Sequence, residues 1–323
     1  MMRAKTQLRD PQFLSLLIMA FILALFPVSR PAAYYLDLLF RIFMFVIMAS
    51  SFNIIGGFAG YISFGQVAFF GLGAYTVAIA IRDWGLPVFP YVLPLAGIIC
   101  AVIAGLIGLV VLRLRGAYFI IATIGLTLLV QTLVVNLKEI TGGGMGISLP
   151  LFPYPMWMIK AIFYYSMLVT MLATLFVSYW ILNSRFGLFL FSIRENEDAA
   201  EAMGVNTTRY KILAWAISTF FTGMAGGLYA PYMSYINAET VFALPTTIMM
   251  ILMTVFGGRG TLWGPFVGAL FLTVLSDYLI GVIMSELNMT IYGVLLVAVI
   301  LFMPLGIVGT LREKIPKLRN ILK

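Results

Sequence analysis

Residues 183–211 read NSRFGLFLFSIRENEDAAEAMGVNTTRYK, the only long polar interval between two hydrophobic blocks of the chain. The interval gathers Glu195, Glu197, Asp198 and Glu201 with Arg185, Arg194, Arg209 and Lys211, in a sequence of which only 10% is charged. Such a concentration marks a surface that faces water and another protein. The apolar blocks on either side then read as membrane-spanning helices, and the interval as a loop between two of them.

Within the loop a short helix is predicted. Asn196 is a good N-cap, Glu197 and Asp198 fall in the first turn where the helix dipole favours negative charge, and Gly204 is a natural stop. The result is a helix of about two turns. Alone in water so short a helix is marginal, because nucleation costs more than two turns recover. Ala199, Ala200 and Met203 fall on one side at helical spacing, giving a small apolar ridge suited to a partner's groove, while Glu201 points elsewhere. Composition by itself leaves open an ordinary solvated loop with a helical turn.

The whole chain supports the membrane reading. Its 323 residues are 62% hydrophobic, against roughly 45–50% for a soluble protein, and the mean hydropathy is +1.06. This composition defines an integral membrane protein surrounded by lipid. The net charge of +8 is explained by basic residues gathered on cytoplasmic loops, so nucleic acid is not an expected partner. A single cysteine, Cys100, excludes an intramolecular disulfide, and the absence of histidine excludes a His-ligated metal site.

Taken in order, the apolar blocks run over about 13–28, 36–55, 60–81, 88–112, 117–137, 161–182, 212–231, 243–256, 262–284 and 290–309. Most approach the ~20 residues needed to cross the hydrocarbon core. The first lacks a small-x-small cleavage site and reads as a retained signal-anchor helix. Asp37 and Arg41, four residues apart, are expected to pair along one helix face. Block 243–256 is short, with Pro245 near its start, and whether it spans fully is open.

Counting it gives ten spans, and the basic residues test that topology. With the N-terminus inside, the inner segments hold Arg3, Lys5, Arg9, Arg113, Arg115, the loop cations, Arg259 and the C-terminal Arg312, Lys314, Lys317, Arg319 and Lys323. Only Arg30, Arg82, Lys138 and Lys160 face outward, as the positive-inside rule requires. The expected architecture is an all-α polytopic bundle of about ten transmembrane helices with both termini cytoplasmic. A re-entrant 243–256 would place the C-terminal basic cluster outside.

Glycine-rich segments precede two of the blocks: Gly56-Gly57-Phe58-Ala59-Gly60, and Gly257-Gly258-Arg259-Gly260-Thr261 with Gly264 and Gly268 beyond. Small residues permit close helix packing, and broken helices are tolerated in a membrane where their backbone is buried or lines a cavity. From glycine alone, packing is the simpler reading. The outer loop contains Thr141-Gly142-Gly143-Gly144-Met145-Gly146-Ile147, which lacks the Gly-Lys-Ser/Thr of a Walker loop and lies on the wrong side for ATP.

Several ordered motifs carry a family resemblance. Asp198-Ala199-Ala200 followed by Gly204 resembles the EAA-x-x-x-G loop of ABC importer permeases, with aspartate for the first glutamate. The Gly60–Tyr75 run, Leu114-Arg115-Gly116-Ala117-Tyr118, the TGGxxGI pattern from Thr141, Ile193–Tyr229 and Gly257–Ala269 are similar to the LIV-type, M-subunit permeases for branched-chain amino acids, whose relatives serve urea and short amides. The resemblance covers roughly 45–306. It implies a type II-like permease, one transmembrane domain over 1–323, in a bacterial inner membrane. It further implies a second homologous permease, two cytoplasmic ATPase subunits that hold ATP and Mg, and a periplasmic or lipid-anchored substrate-binding protein. Residues 183–211 would be the coupling loop, with Asn196, Glu197, Asp198, Ala199, Ala200, Glu201, Met203 and Gly204 meeting an ATPase. The permease itself would hold no cofactor and perform no covalent chemistry.

Tyr61, Gln66, Tyr118 and Thr141 are candidates for the translocation path, against packing or loop-shaping roles for each. An ion-coupled secondary transporter is the rival reading, and it calls for ionisable groups near the bilayer midplane. Asp37, Arg41 and Asp277 lie nearer the outer ends of their blocks. An intramembrane enzyme is disfavoured, since no histidine and no acidic pair within one span is available for acid-base work. The permeant solute itself is not legible where a separate protein selects it.

Overall fold

A bilayer offers the peptide backbone no hydrogen-bonding partner, so each apolar run must satisfy its own N–H and C=O groups, and the α-helix does so within one segment. The computed structural model describes residues 11–29, 31–86, 88–150, 152–282, 293–294, 297 and 306–314. The principal helices are α1 Pro11–Leu25, α2 Ala33–Phe52, α3 Gln66–Trp84, α4 Leu93–Val111, α5 Ala117–Asn136 and α6 Met156–Leu182. They continue as α7 Arg185–Glu195, α8 Glu197–Ala202, α9 Thr207–Met233, α10 Leu244–Gly257, α11 Gly264–Val282 and α12 Gly306–Lys314. Eight helical stretches among the described residues are long and apolar enough to cross a membrane, and Gly264–Tyr278 is a shorter apolar helix. The chain is therefore an all-α polytopic membrane protein.

The expected short block 243–256 is the 14-residue α10, and the residues before it lengthen the apolar stretch. A helical turn over Ala238–Val241 precedes α10, and together they give the 20-residue stretch Ala238–Gly257. Two other helices begin earlier than the apolar runs do, because their first turns include Lys160 in one case and Thr207, Thr208, Arg209 and Lys211 in the other. The helix expected from 161 starts at Met156, and the one expected from 212 starts at Thr207, where the Asn206 side chain caps it by accepting from the Arg209 N–H at 3.0 Å. Most of the expected span 290–309 lies outside the described residues, as do Arg3, Lys5, Arg9, Arg30, Lys317, Arg319 and Lys323.

The chain divides into two compact units, the first made of Met1–Ser50, Met156–Asn183 and Leu252–Lys323. Within it α1 lies along α6: the Tyr164 hydroxyl donates to the Leu23 carbonyl at 2.8 Å and that of Tyr165 to the Ala24 carbonyl at 3.0 Å. The turn between α10 and α11 is closed by Thr261, which donates to the Gly258 carbonyl at 2.7 Å and accepts from the Gly264 N–H at 3.0 Å. The expected pairing of Asp37 with Arg41 is replaced by pairings between helices. Asp37 meets Lys160 and Arg41 meets Asp277, both at 2.5 Å, while Tyr34 also donates to Asp277. A charge at a helix end gains more from a neighbouring helix that has few other polar groups to offer than from an i,i+4 partner worth only about 0.2–0.5 kcal/mol.

The second unit comprises Ser51–Pro155 and Ser184–Ile251. Its centre is α9, whose Gly223, Gly226 and Gly227 let α3 and α4 come within backbone contact. A Cβ on Gly226 would lie 1.9 Å from the Phe70 carbonyl oxygen, and one on Gly73 would lie 2.0 Å from that of Gly223. No rotamer relieves such a clash, because the obstacle is main chain. α2 continues into a π-helical segment, Asn53–Phe58, and the chain is then non-helical over residues 59–65 before α3 begins. So the first glycine-rich segment does break a helix. On the far side of the unit's sequence, Ile147–Ser148 (β1) pairs antiparallel with Tyr235–Ile236 (β2), and Gly146 admits the passing strand, since its Cβ would fall 2.2 Å from the Ile236 carbonyl oxygen.

These contacts give a direct test. Gly226→Leu should force α3 and α9 apart and lower stability by about 1–3 kcal/mol, the usual cost of overpacking. Gly105→Ala, where a Cβ meets nothing within 4 Å, should leave the melting temperature in detergent unchanged. Thermal unfolding of both variants, followed by loss of the monodisperse peak, checks the pair.

Candidate functional site

The polar loop folds as two capped helices. Ser184 caps α7 by accepting from the Gly187 N–H at 3.3 Å, and Asn196 caps α8 by accepting from the Ala199 N–H at 3.0 Å. α8 ends where expected: Gly204 takes a φ of +85°, and the Val205 N–H reaches back to the Ala200 carbonyl at 3.0 Å. Local sequence is sufficient for this part of the site, because caps act within three or four residues.

The faces of α8 differ from the expectation in one respect. Ala199, Glu201 and Met203 are exposed, with Met203 at 85%, but Ala200 is buried at 6% and packs against its own chain. The outward ridge is thus Ala199 and Met203 without Ala200. Asp198 also faces out, paired with Arg115 at 2.8 Å, an exposed contact worth little by itself.

Glu197 turns inward. Its carboxylate meets the Lys211 ammonium at 2.6 Å, accepts a hydrogen bond from the Tyr61 hydroxyl, and lies 3.4 Å from the Arg115 guanidinium. The Lys211 side chain is only 4% exposed. Its remaining donors go to the Leu112 carbonyl at 2.9 Å and the Tyr61 oxygen at 3.0 Å, so all three of its N–H groups have acceptors. One α8 residue is thereby tied to the end of α4, the loop before α5, the break between α2 and α3, and the first turns of α9. The preceding helix adds a second tie, since Arg194 donates to the Gly57 carbonyl at 2.9 Å. A cavity of about 240 Å³ opens beside these groups, lined by Gly60, Tyr61, Ile62, Arg115, Arg194 and Glu197 among others.

The electrostatics follow from burial. Burial resists ionisation of Glu197, but hydrogen bonds from Lys211 and Tyr61 and the charges of Lys211 and Arg115 outweigh it and hold the carboxyl below the usual glutamate range. Burial first, and then the hydrogen bond to Glu197, push the Tyr61 phenol up, so that it stays protonated and donating. Removing one member of such a pair leaves a buried charge and costs about 3–5 kcal/mol, whereas the intact pair contributes far less than that.

The four expected path residues are placed separately. Tyr61 belongs to the Glu197 network. Gln66 is buried between α3 and α9, donating to Ser218 and accepting from Thr222 at 3.4 Å, while Ser218 donates to the Ser51 carbonyl at 2.6 Å. The Thr141 hydroxyl closes a turn through the Leu137 carbonyl at 2.8 Å and the Gly143 N–H at 3.2 Å. Tyr118 is 74% exposed. Sequence reasoning missed Lys211 and Arg115 as partners of Glu197 by treating Lys211 as a loop cation. The available signal was weak, since Lys211 stands directly before the apolar run and after Thr207, Thr208 and Arg209, where a lysine on a solvated turn is ordinary. Among the described residues no group of three or more His, Cys, Asp or Glu could hold a metal ion.

The chain is thus a multi-pass helical protein that carries a capped helix, tied by Glu197 to its own chain, on a polar loop. The family model described as branched-chain amino acid transport system / permease component matches residues 34–300. The chain belongs to that family. It is 30% identical over 318 residues to the high-affinity branched-chain amino acid transport system permease protein LivM of Salmonella typhimurium, covering 90% of this chain and 73% of the relative. It is likewise 30% identical over 305 residues to LivM of Escherichia coli K12, with coverage of 86% and 70%. To LivH of Salmonella typhimurium it is 25% identical over 287 residues, with coverage of 82% and 91%. No solved structure matches the chain.

The Glu197 network has a pH signature. Its folded-state carboxyl ionises at lower pH than in the unfolded chain, so its stabilisation is fully present above the ordinary glutamate value of about 4.3 and is lost as pH falls through the folded value. Melting temperature measured against pH should drop on the acid side of that value, and Glu197→Gln should flatten the drop.

Proposed function

We propose that this chain is one permease subunit of an ATP-driven ABC importer that moves branched-chain amino acids, or related small polar solutes such as urea and short amides, across a bacterial inner membrane. Family membership and the branched-chain amino acid transport named for the LivM and LivH relatives support the solute class. Similarity to both named permeases supports a second, homologous permease as partner. The full assembly then comprises two permeases, two cytoplasmic ATPase subunits carrying ATP and Mg, and a periplasmic or lipid-anchored binding protein. In the proposed type II-like topology ten spans place both termini and the 183–211 loop in the cytoplasm.

The observation that carries the coupling role is the form of α8. It is fixed from within by Asn196, Ala200 and Glu197, and its outer side presents Ala199, Glu201, Met203 and Gly204 to solvent. A methionine exposed on a polar loop lies outside the stretches that lipid would cover, and its flexible thioether suits a partner's groove. Asp277 offers little to an ion-coupled rival. It is held by Arg41 and Tyr34 and is thus spent on an ion pair.

The test is co-purification from native membrane in mild detergent. The unaltered chain should bring a second permease and Walker-bearing ATPases. Met203→Glu with Glu201→Lys should leave insertion intact and stability within about 0.5 kcal/mol of the parent, as for surface substitutions generally, while removing the ATPases and uptake. Recovery of the chain alone, with transport activity retained, would overturn the importer reading.

A further inference from the structure

The coupling reading explains the outer side of α8 but not why its first residue carries a buried ion pair. Docking needs only the exposed face, and a short helix could be seated more cheaply on apolar residues, because a buried pair is often no more stabilising than a hydrophobic replacement of the same volume. The contacts of Glu197 are also unusual in their reach. Through Lys211, Tyr61 and Arg115 its network reaches four separate chain segments: the α4 end at Leu112, the loop at Arg115, the 59–65 break and the α9 start.

One of those segments interrupts the helical path of the chain. The break over 59–65 follows the π-helical segment Asn53–Phe58, and local π geometry recurs at functional positions in helices. Two of the polar groups that hold this stretch come from the coupling loop: Glu197 takes the Tyr61 hydroxyl, and Arg194 takes the Gly57 carbonyl. Gly60, at a φ of +81°, faces the Arg194 side chain, where a Cβ would approach its Cγ to 3.1 Å. The coupling loop therefore grips the discontinuity that leads directly into α3, the helix packed backbone to backbone against α9.

We propose that Glu197 is a positioning residue for energy transmission: with Lys211 and Tyr61 it forms the pin by which displacement of α8 moves the 59–65 break and so the entry to α3. The inference rests on α8 being the ATPase-coupling helix. It assigns Glu197 and Lys211 a part in transmission that the docking face does not have, since both are turned away from the partner.

The experiment uses the complex purified with its ATPases and reconstituted in vesicles, with Ile62→Cys as a reporter beside the cavity; the native Cys100 is buried. Maleimide labelling of position 62 is measured with and without ATP and vanadate. In the parent complex the labelling rate should change several-fold on trapping. The test variant carries Glu197→Gln together with Lys211→Met, which removes both charges and leaves neither buried alone. It should keep its ATPases and hydrolyse ATP, yet lose the change at position 62, and uptake with it. A pair serving stability alone would leave the ATP-dependent labelling intact in this variant, and that result overturns the pin. Should the double variant fail to assemble, Tyr61→Phe takes its place, removing only the hydroxyl that ties Glu197 to the break and leaving the ion pair intact; an unchanged ATP-dependent labelling there would likewise overturn the proposal. Failure of the coupling reading has a different signature, since Met203→Glu with Glu201→Lys would then keep its ATPases.

Discussion

The approach of α9 to α3 is the constraint on which the second unit depends. In lipid there is no hydrophobic gain from bringing two apolar helices together, so their association rests on dispersion and fit. Glycines at 73, 223 and 226 let the two main chains touch, which maximises those contacts and excludes a side chain from the seam. Once α9 is fixed there, its N-terminal turns have a fixed height, and Lys211 is carried inside whether or not a charge is welcome. The polar network at the site is the answer to that placement.

This order of causes also explains the different styles of the two units. The first holds its charges near helix ends, as the Lys160–Asp37 and Arg41–Asp277 pairs, where the head groups are partly exposed. The second holds one ion pair almost wholly out of water and satisfies every donor of its lysine from within the chain. A pair of the first kind contributes modestly and tolerates exchange. One of the second kind fixes geometry, because the surrounding carbonyl and phenol are correct only for one arrangement of the two charges.

Legibility in the sequence followed the range of each interaction. The membrane class, most of the spans, and the Asn196 and Gly204 boundaries of α8 depend on composition or on residues within one turn, and all of these are legible. The inward turn of Ala200 and Glu197, the exchange of Asp37–Arg41 for two interhelical pairs, and the burial of Lys211 depend on which helix lies beside which, and periodicity carries no information about that. The TGGxxGI pattern is an intermediate case. Its presence was visible, but its work, closing a turn through Thr141 and admitting β2 past Gly146, needed the partner strand 89 residues later.

The pairing of Glu197 with Lys211 has a consequence for how such a chain diverges. Losing either charge strands the other away from water, so a lineage crosses a deleterious step unless both codons change in close succession. Drift at the two positions is therefore correlated, while Glu201 and Met203, exposed a few residues further on, carry no such bond to Lys211. A six-residue helix thus holds, at its first position, a residue whose evolution is tied to one fourteen positions later in the same chain.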